Sequence, residues 1–368
     1  MKKGLLLLLA AVLLPIRVLG AEPDPAPETS AEAMILLHPA SGTVLAEKNA
    51  EAKHLIASTT KLMTALLAAQ TLSLEDEVEI RHSWTEVEGS RMYLQCGERY
   101  TVRELLEGLL LASGNDAALA LAETAVGDVH RFAERMNREA AALGMTGTAF
   151  ENPHGLDGKA HYSCASDLAK LMAEVVKCAP LRSILGERSC TIHGVVLENH
   201  NKLLRSCRGV FAGKTGYTKA AGRCLVTACE RDGMELVCVT LSDPNDWKDH
   251  AALYDWAYSH YQTFSLAVGE QAGEVPLLSG HENTVSVSVD RDLSLCVPAG
   301  VTIRTECALP PFVFSPVCMG ETAGTLSVYA DDRLLACRRL VWAQSADSTA
   351  ASSILRDLAD RLMGVYRI

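Results

Sequence analysis

The sequence predicts an α+β protein, in which an antiparallel sheet carries a large helical insertion and is followed by a small all-β domain. Two hairpin signatures lie far apart in the chain, with a long stretch of helical periodicity between them, and short alternating strands follow. The first hairpin joins Met34-Ile35-Leu36-Leu37 to Thr43-Val44-Leu45-Ala46 through Pro39-Ala40-Ser41-Gly42. The second joins the run from Cys224 to Glu230 to the run from Leu236 to Leu241 through Asp232-Gly233. Asp-Gly between two β-rich runs is a strong hairpin signal because a tight turn needs left-handed backbone.

Taken in order, Met1-Lys2-Lys3, the apolar core Leu5 to Leu14 and the small-residue end Val18-Leu19-Gly20 read as a secretory signal peptide over residues 1–20. The apolar core is too short for a spanning helix. Removing residues 1–20 takes away Lys2, Lys3 and Arg17, so the formal charge moves from −11 to −14, with 31 basic against 45 acidic residues. So acidic a chain lacks the basic footprint of a nucleic-acid partner. Residues 21–30, rich in Pro, Glu and Ala, read as a flexible lead, and the main domain is expected over 31–263.

Behind Ser58-Thr59-Thr60, Leu62, Met63, Leu66 and Leu67 recur at helical spacing, so the polar cluster reads as a helix start. A residue three places beyond Ser58 lies one turn above it on the same face, which brings the Lys61 amine close to the Ser58 hydroxyl. Leu105, Leu106, Leu109 and Leu110 give a later helix its apolar face. Ser113-Gly114-Asn115-Asp116 interrupts that face before Ala117 to Ala125 resumes it, and such a break projects polar side chains into a cleft. His130 to Leu143 and Asp167 to Cys178 read as further helices. Between them, Asn152-Pro153-His154-Gly155 is a loop of turn formers. No close set of His, Cys and carboxylate at ligand spacing joins His154 and His161, so structural or loop-positioning roles are expected of them rather than metal binding. Lys214-Thr215-Gly216 falls on a strand beside the second hairpin, where Gly216 would let another backbone approach closely. Asp249 to Tyr261 reads as a closing helix over the sheet.

A serine hydroxyl is a poor nucleophile until a base takes its proton, and a lysine serves as that base when burial or a second cation keeps it neutral. Alone, Ser-x-x-Lys is equally a helix cap followed by a solvated lysine. Here Ser58-Thr59-Thr60-Lys61, Ser113-Gly114-Asn115 and Lys214-Thr215-Gly216 each occur once, in that order. With these three motifs the sequence resembles the serine-type D-Ala-D-Ala carboxypeptidases, the low-molecular-mass penicillin-binding proteins. The resemblance runs from about Ala33 to about Tyr258 and more loosely beyond. Gly114 stands where related β-lactamases carry Asp, and family members usually carry Thr where Cys164 stands.

The resemblance implies the penicillin-binding/β-lactamase-like transpeptidase fold, no cofactor, and acyl transfer from a peptidoglycan stem peptide ending in D-Ala-D-Ala, with β-lactams as covalent inhibitors. It implies Ser58 as nucleophile, Lys61 as general base and Ser113 as proton relay to the departing amine. Asn115 would hold the substrate amide and the Lys61 amine, and Lys214 and Thr215 the terminal carboxylate. The N–H groups of Ser58 and Tyr217 would receive the oxyanion. A β-lactamase would share the motifs, but Asn152-Pro153-His154-Gly155 stands where a Glu-assisted water would be expected. A transpeptidase would hand the acyl group to an amine. Intact Ser58, Lys61, Ser113 and Lys214 argue against an inert cell-wall-binding module.

Residues 264–342 show β texture, with Thr284-Val285-Ser286-Val287-Ser288-Val289 alternating cleanly, and fit a small β-sandwich-like domain. Residues 343–368 read as a linker and an amphipathic helix. Ile354, Leu355, Leu358, Leu362, Val365 and Tyr366 share one face, opposite Arg356, Asp357, Asp360 and Arg367. In an exported protein this predicts attachment to the membrane surface, at the outer face of the cytoplasmic membrane or in the cell-wall space, although a helix packed on the β domain gives the same pattern. Twelve cysteines sit mostly in apolar contexts (Cys224, Cys229, Cys238, Cys296 and Cys337 among them) and read as buried free thiols. Cys190 and Cys207 bracket a short β-like segment and are expected to form the one bridge. The chain has no Cys-x-x-Cys, which argues against zinc and dithiol chemistry.

Overall fold

A computed structural model describes residues 24–348; the expected signal peptide and the two-faced segment from Ile354 to Ile368 lie outside the described residues. Five antiparallel strands make the central sheet: β1 (Ala33–His38), β2 (Thr43–Lys48), β3 (Val210–Thr218), β4 (Gly222–Arg231) and β5 (Met234–Leu241). Their lateral order is β2-β1-β5-β4-β3, so the first hairpin docks on the last, with Ile35 opposite Val239. Everything between β2 and β3 is the insertion.

The sheet has a core on each face. Along β5, Val237, Val239 and Leu241 enter the core beneath the insertion, while Leu236 and Cys238 enter the core on the other side. Side chains alternate along a strand, so covering both faces demands apolar residues at every position. That is why β5 is apolar at every position from Leu236 to Val239. The insertion contributes α1 (Lys61–Thr71), α2 (Val102–Leu110), α3 (Asn115–Val126), α4 (Val129–Ala142) and α5 (Ala165–Val175). The other face is closed by α6 (Asp246–His260), whose Leu253, Tyr254 and Ala257 are fully buried.

Ser58 does not cap α1, the alternative that its motif alone left open. It sits in a 3-10 turn, Ala57–Thr60, that runs straight into the helix, and Thr59 N–H already finds Ile56 O at 3.2 Å. With backbone acceptors in place, the Ser58 hydroxyl is left free for other partners. By contrast, α2 opens on a capping box in which Thr101 Oγ1 accepts from Glu104 N–H and the Glu104 carboxylate accepts from Thr101 N–H.

From Asp24 onward, the stretch expected to be a flexible lead is tied to α6 and to Asp243 just before it. Ser30 N–H donates to Asp249 at 2.7 Å, its hydroxyl donates to Asp243 at 2.5 Å, and Trp256 Nε1 donates to Asp24 O at 2.8 Å. Asp243 and Asp249 are buried carboxylates that need donors, and the lead supplies them.

Immediately after α6 the chain turns all-β. A two-stranded ribbon, Tyr261–Leu266 with Leu293–Pro298, lies against a six-stranded sheet. Phe264, Leu266 and Leu295 of the ribbon pack on a core built from Val285, Val287, Val328, Leu340 and Trp342 of the larger sheet.

All twelve cysteines are free thiols, and the expected Cys190–Cys207 bridge is absent. Cys190 packs on the core beneath the insertion and Cys207 on the core behind the sheet, so the two thiols belong to opposite faces.

Candidate active site

The three sequence motifs meet where the insertion abuts the edge strand β3. The Ala57–Thr60 turn supplies Ser58, and the first turn of α1 supplies Lys61, whose Nζ lies 2.9 Å from Ser58 Oγ. The break between α2 and α3 supplies Ser113 and Asn115. Ser113 takes a positive φ of 61°, rare for a residue with a side chain, which turns the chain sharply enough to aim both side chains inward. On β3, Lys214 lies opposite Val226, a residue of the insertion-side core, so its side chain points toward the helices.

Two linked clusters result. Lys61 Nζ approaches Ser58 Oγ, Asn115 Oδ1 at 2.7 Å and His154 O at 2.5 Å. Lys214 Nζ donates to Ser113 Oγ at 3.0 Å and to Thr215 O at 2.8 Å. Both lysines are buried, at 0% and 1% exposure. Burial, with the Lys214 charge nearby, holds the Lys61 amine well below the usual lysine range, and Asp116 opposes the shift without reversing it. Burial alone brings Lys214 down to about 7.

The hydrogen count at Lys61 is informative. Asn115 Oδ1 and His154 O are carbonyl oxygens and can only accept, so each takes an N–H. A neutral amine has two hydrogens and one lone pair. With both hydrogens engaged, the lone pair is left facing the Ser58 hydroxyl, which is the geometry of a general base and its nucleophile.

Supporting contacts fix these groups. Asn115 Nδ2 donates to Glu88 O at 2.6 Å and Asn115 N–H to Ser90 O at 2.7 Å, so one amide hydrogen expected for a substrate is already committed to the protein. The fully buried Asp116 carboxylate accepts from Met92 N–H and Leu94 N–H, pinning the same loop. The loop carrying His154 is held on α1, where Thr64 Oγ1 donates to Pro153 O at 2.6 Å one turn beyond Lys61. His154 thus acts through its backbone, and no sequence signal marks a main-chain carbonyl. Among the described residues no group of three or more His, Cys, Asp or Glu is placed to hold a metal ion.

A cavity of about 290 Å³ opens on this cluster, lined by Ser58, Ser90, Ser113, Thr215, Gly216 and the exposed Tyr217. Gly216 has a reason the sequence did not reveal. A Cβ there would stand 2.9 Å from Ile56 O and 3.1 Å from Ser58 N, so the backbone it lets approach is the protein's own turn. The far wall carries Arg223, whose Nη2 donates to both carboxylate oxygens of Asp246 at 2.8 and 2.9 Å and whose guanidinium lies over Trp247. Neither Arg223 nor Asp246 belongs to the three motifs, and nothing in the sequence marks them.

Comparison with known proteins gives a consistent picture. A family model described as D-alanyl-D-alanine carboxypeptidase matches residues 21–245, and one described as the C-terminal domain of penicillin-binding protein 5 matches residues 261–348. The chain is 31% identical to the D-alanyl-D-alanine carboxypeptidase DacF of Bacillus subtilis over 323 residues, which is 83% of each chain. It is also 31% identical to DacA of Escherichia coli K12, over 86% of this chain and 83% of that one. Penicillin-binding protein 5 from Haemophilus influenzae superposes with a TM-score of 0.75 at 27% identity, covering 88% of this chain and 99% of that one.

Proposed function

The chain belongs to the D-alanyl-D-alanine carboxypeptidase family, and on that premise we propose that its reaction runs through Ser58 as nucleophile and Lys61 as general base. It is a serine DD-carboxypeptidase, a hydrolase of cell-wall metabolism that penicillins acylate. The observation that carries the residue assignment is the position of Lys61, 2.9 Å from Ser58 Oγ with both amine hydrogens directed to carbonyl oxygens.

Lys61 takes the Ser58 proton as Oγ attacks the carbonyl of the penultimate D-Ala in a stem peptide. The oxyanion is received by the N–H groups of Ser58 and Tyr217. Collapse breaks the C–N bond, and Ser113, hydrogen-bonded to Lys214, passes a proton to the departing D-Ala amine. Asn115 holds Lys61 and offers the substrate amide its second amide hydrogen. Lys214 and Thr215 receive the terminal carboxylate, and substrate charge at that position favours the protonated form of a lysine otherwise near neutrality. Water then hydrolyses the Ser58 ester and regenerates the enzyme. The test is D-Ala release from a D-Ala-D-Ala peptide. The wild type should release it and Ser58→Ala should not, and release by Ser58→Ala would remove Ser58 from the reaction.

We also propose export through residues 1–20 and attachment to the membrane surface through the two-faced C-terminal segment. Its apolar stripe and the extracytoplasmic location of peptidoglycan support this reading. Among the described residues no helix is long and apolar enough to cross a membrane.

A further inference from the structure

The peptide joining Ala57 to Ser58 is held at its carbonyl by Thr60, itself held by His161, and the mechanism above uses neither side chain. Thr60 Oγ1 lies 2.8 Å from Ala57 O and 2.8 Å from His161 Nε2. Chemistry assigns the hydrogens along this line. Glu151 N–H donates to His161 Nδ1 at 3.0 Å, so the neutral imidazole carries its proton on Nε2. Thr60 Oγ1 accepts that proton, and the hydroxyl hydrogen has Ala57 O as its acceptor. The pair is sealed from water, with Thr60 at 0% and His161 at 1% exposure, and the Phe150 ring stands edge-on to the imidazole. Burial keeps His161 neutral, with its pKa lowered to about 4.

Ala57 needs holding. Its φ of 46° lies in the left-handed region that residues with a side chain rarely enter, and it directly precedes the nucleophile. Two glycines confine the same peptide unit. A side chain at Gly155 would overlap Ala57 O, and one at Gly216 would press on Ser58 N at 3.1 Å. A peptide is planar, so fixing its C=O direction fixes the opposite direction of its N–H.

From these contacts we propose that His161 and Thr60 are positioning residues for the oxyanion site. Through Ala57 O they orient the Ala57–Ser58 peptide and strengthen its N–H as a donor by a cooperative run of hydrogen bonds. Neither residue touches substrate. The inference rests on the reading of Ser58 as nucleophile and of its N–H as an oxyanion donor.

The test is acylation by benzylpenicillin, with the acylation rate constant and the noncovalent dissociation constant measured separately. Thr60→Val keeps the shape and removes the hydroxyl. Its acylation rate constant should fall at least about tenfold, with the ~10²–10³ that loss of a whole oxyanion donor costs as the upper limit, while noncovalent binding holds. Thr60→Ser should recover most of the lost rate. In the acyl-enzyme, the infrared stretch of the ester carbonyl should move to higher frequency in Thr60→Val and His161→Gln, because a weaker donor polarises the carbonyl less. Wild-type acylation by Thr60→Val overturns the proposal, as does an equal loss of binding and rate with no recovery by Thr60→Ser. Should Thr60→Val not fold, an unshifted ester band in His161→Gln overturns it. Ser58→Ala is the control that separates the two readings. Labelling of Ser58→Ala would defeat the nucleophile assignment itself. An unlabelled Ser58→Ala beside a fully active Thr60→Val would defeat only the positioning role.

Discussion

Lys61 has the environment of a base because burial disfavours its charge and two carbonyls absorb its hydrogens. The pH profile of kcat/KM tests this. Activity should rise as Lys61 loses its proton, with the acid limb well below the ~10.4 of an ordinary lysine. Lys214 is one cause of that depression. In Lys214→Met a neighbouring positive charge is gone, the ammonium form gains, and the limb for penicillin acylation should move to higher pH. A limb that stays put or moves lower would deny the coupling. At this scale Ser58, Lys61, Ser113, Asn115 and Lys214 were legible because each belongs to a short motif of fixed spacing. The His154 carbonyl and the Asp116 carboxylate were not, since their work consists of long-range hydrogen bonds to or from main-chain and side-chain groups that no local pattern announces.

Among the elements, the turn Ala57–Thr60 and strand β3 form the working junction, and their separation is set by Gly216. Gly216→Ala would bring a Cβ to 2.9 Å from Ile56 O and 3.1 Å from Ser58 N, so the strand or the turn must give way. We expect stability to fall by about 1–3 kcal/mol, the usual cost of overpacking, and acylation to fall more steeply because the oxyanion donor itself is displaced. Thermal melts and acylation kinetics on one preparation separate the two effects. A variant with unchanged kinetics would mean that the junction is looser than its geometry indicates. Both hairpins, the interruption at Ser113-Gly114 and the closing helix were legible from turn chemistry and period. The helix start near Ser58 was legible, but its form was not, because a 3-10 turn and an N-cap leave the same Ser-Thr-Thr signature while directing the Ser58 side chain differently.

For the whole molecule, the sheet is a partition with the cluster of Ser58, Lys61, Ser113, Asn115 and Lys214 on its insertion side and α6 behind it. The β domain follows α6 without a break, and Ala299 N–H donates to His260 O at 2.7 Å across the junction. The α+β architecture was legible because a long helical run between two hairpins leaves few other arrangements. Which face each cysteine occupies was not, because in a strand covered on both sides one apolar residue looks like the next; the misplaced Cys190–Cys207 bridge follows from that. The attachment proposal also belongs to this scale. Deleting residues 350–368 should release the exported protein from membranes with D-Ala release intact, and a truncated protein that still sediments with membranes would refute it. The central claim is that Ser58 attacks and Lys61 activates it. Mass spectrometry after incubation with benzylpenicillin tests this most directly: the account predicts a single penicilloyl group on the peptide containing Ser58, lost in Ser58→Ala and formed orders of magnitude more slowly in Lys61→Ala, whereas an adduct on another residue, or undiminished labelling of either variant, would contradict it.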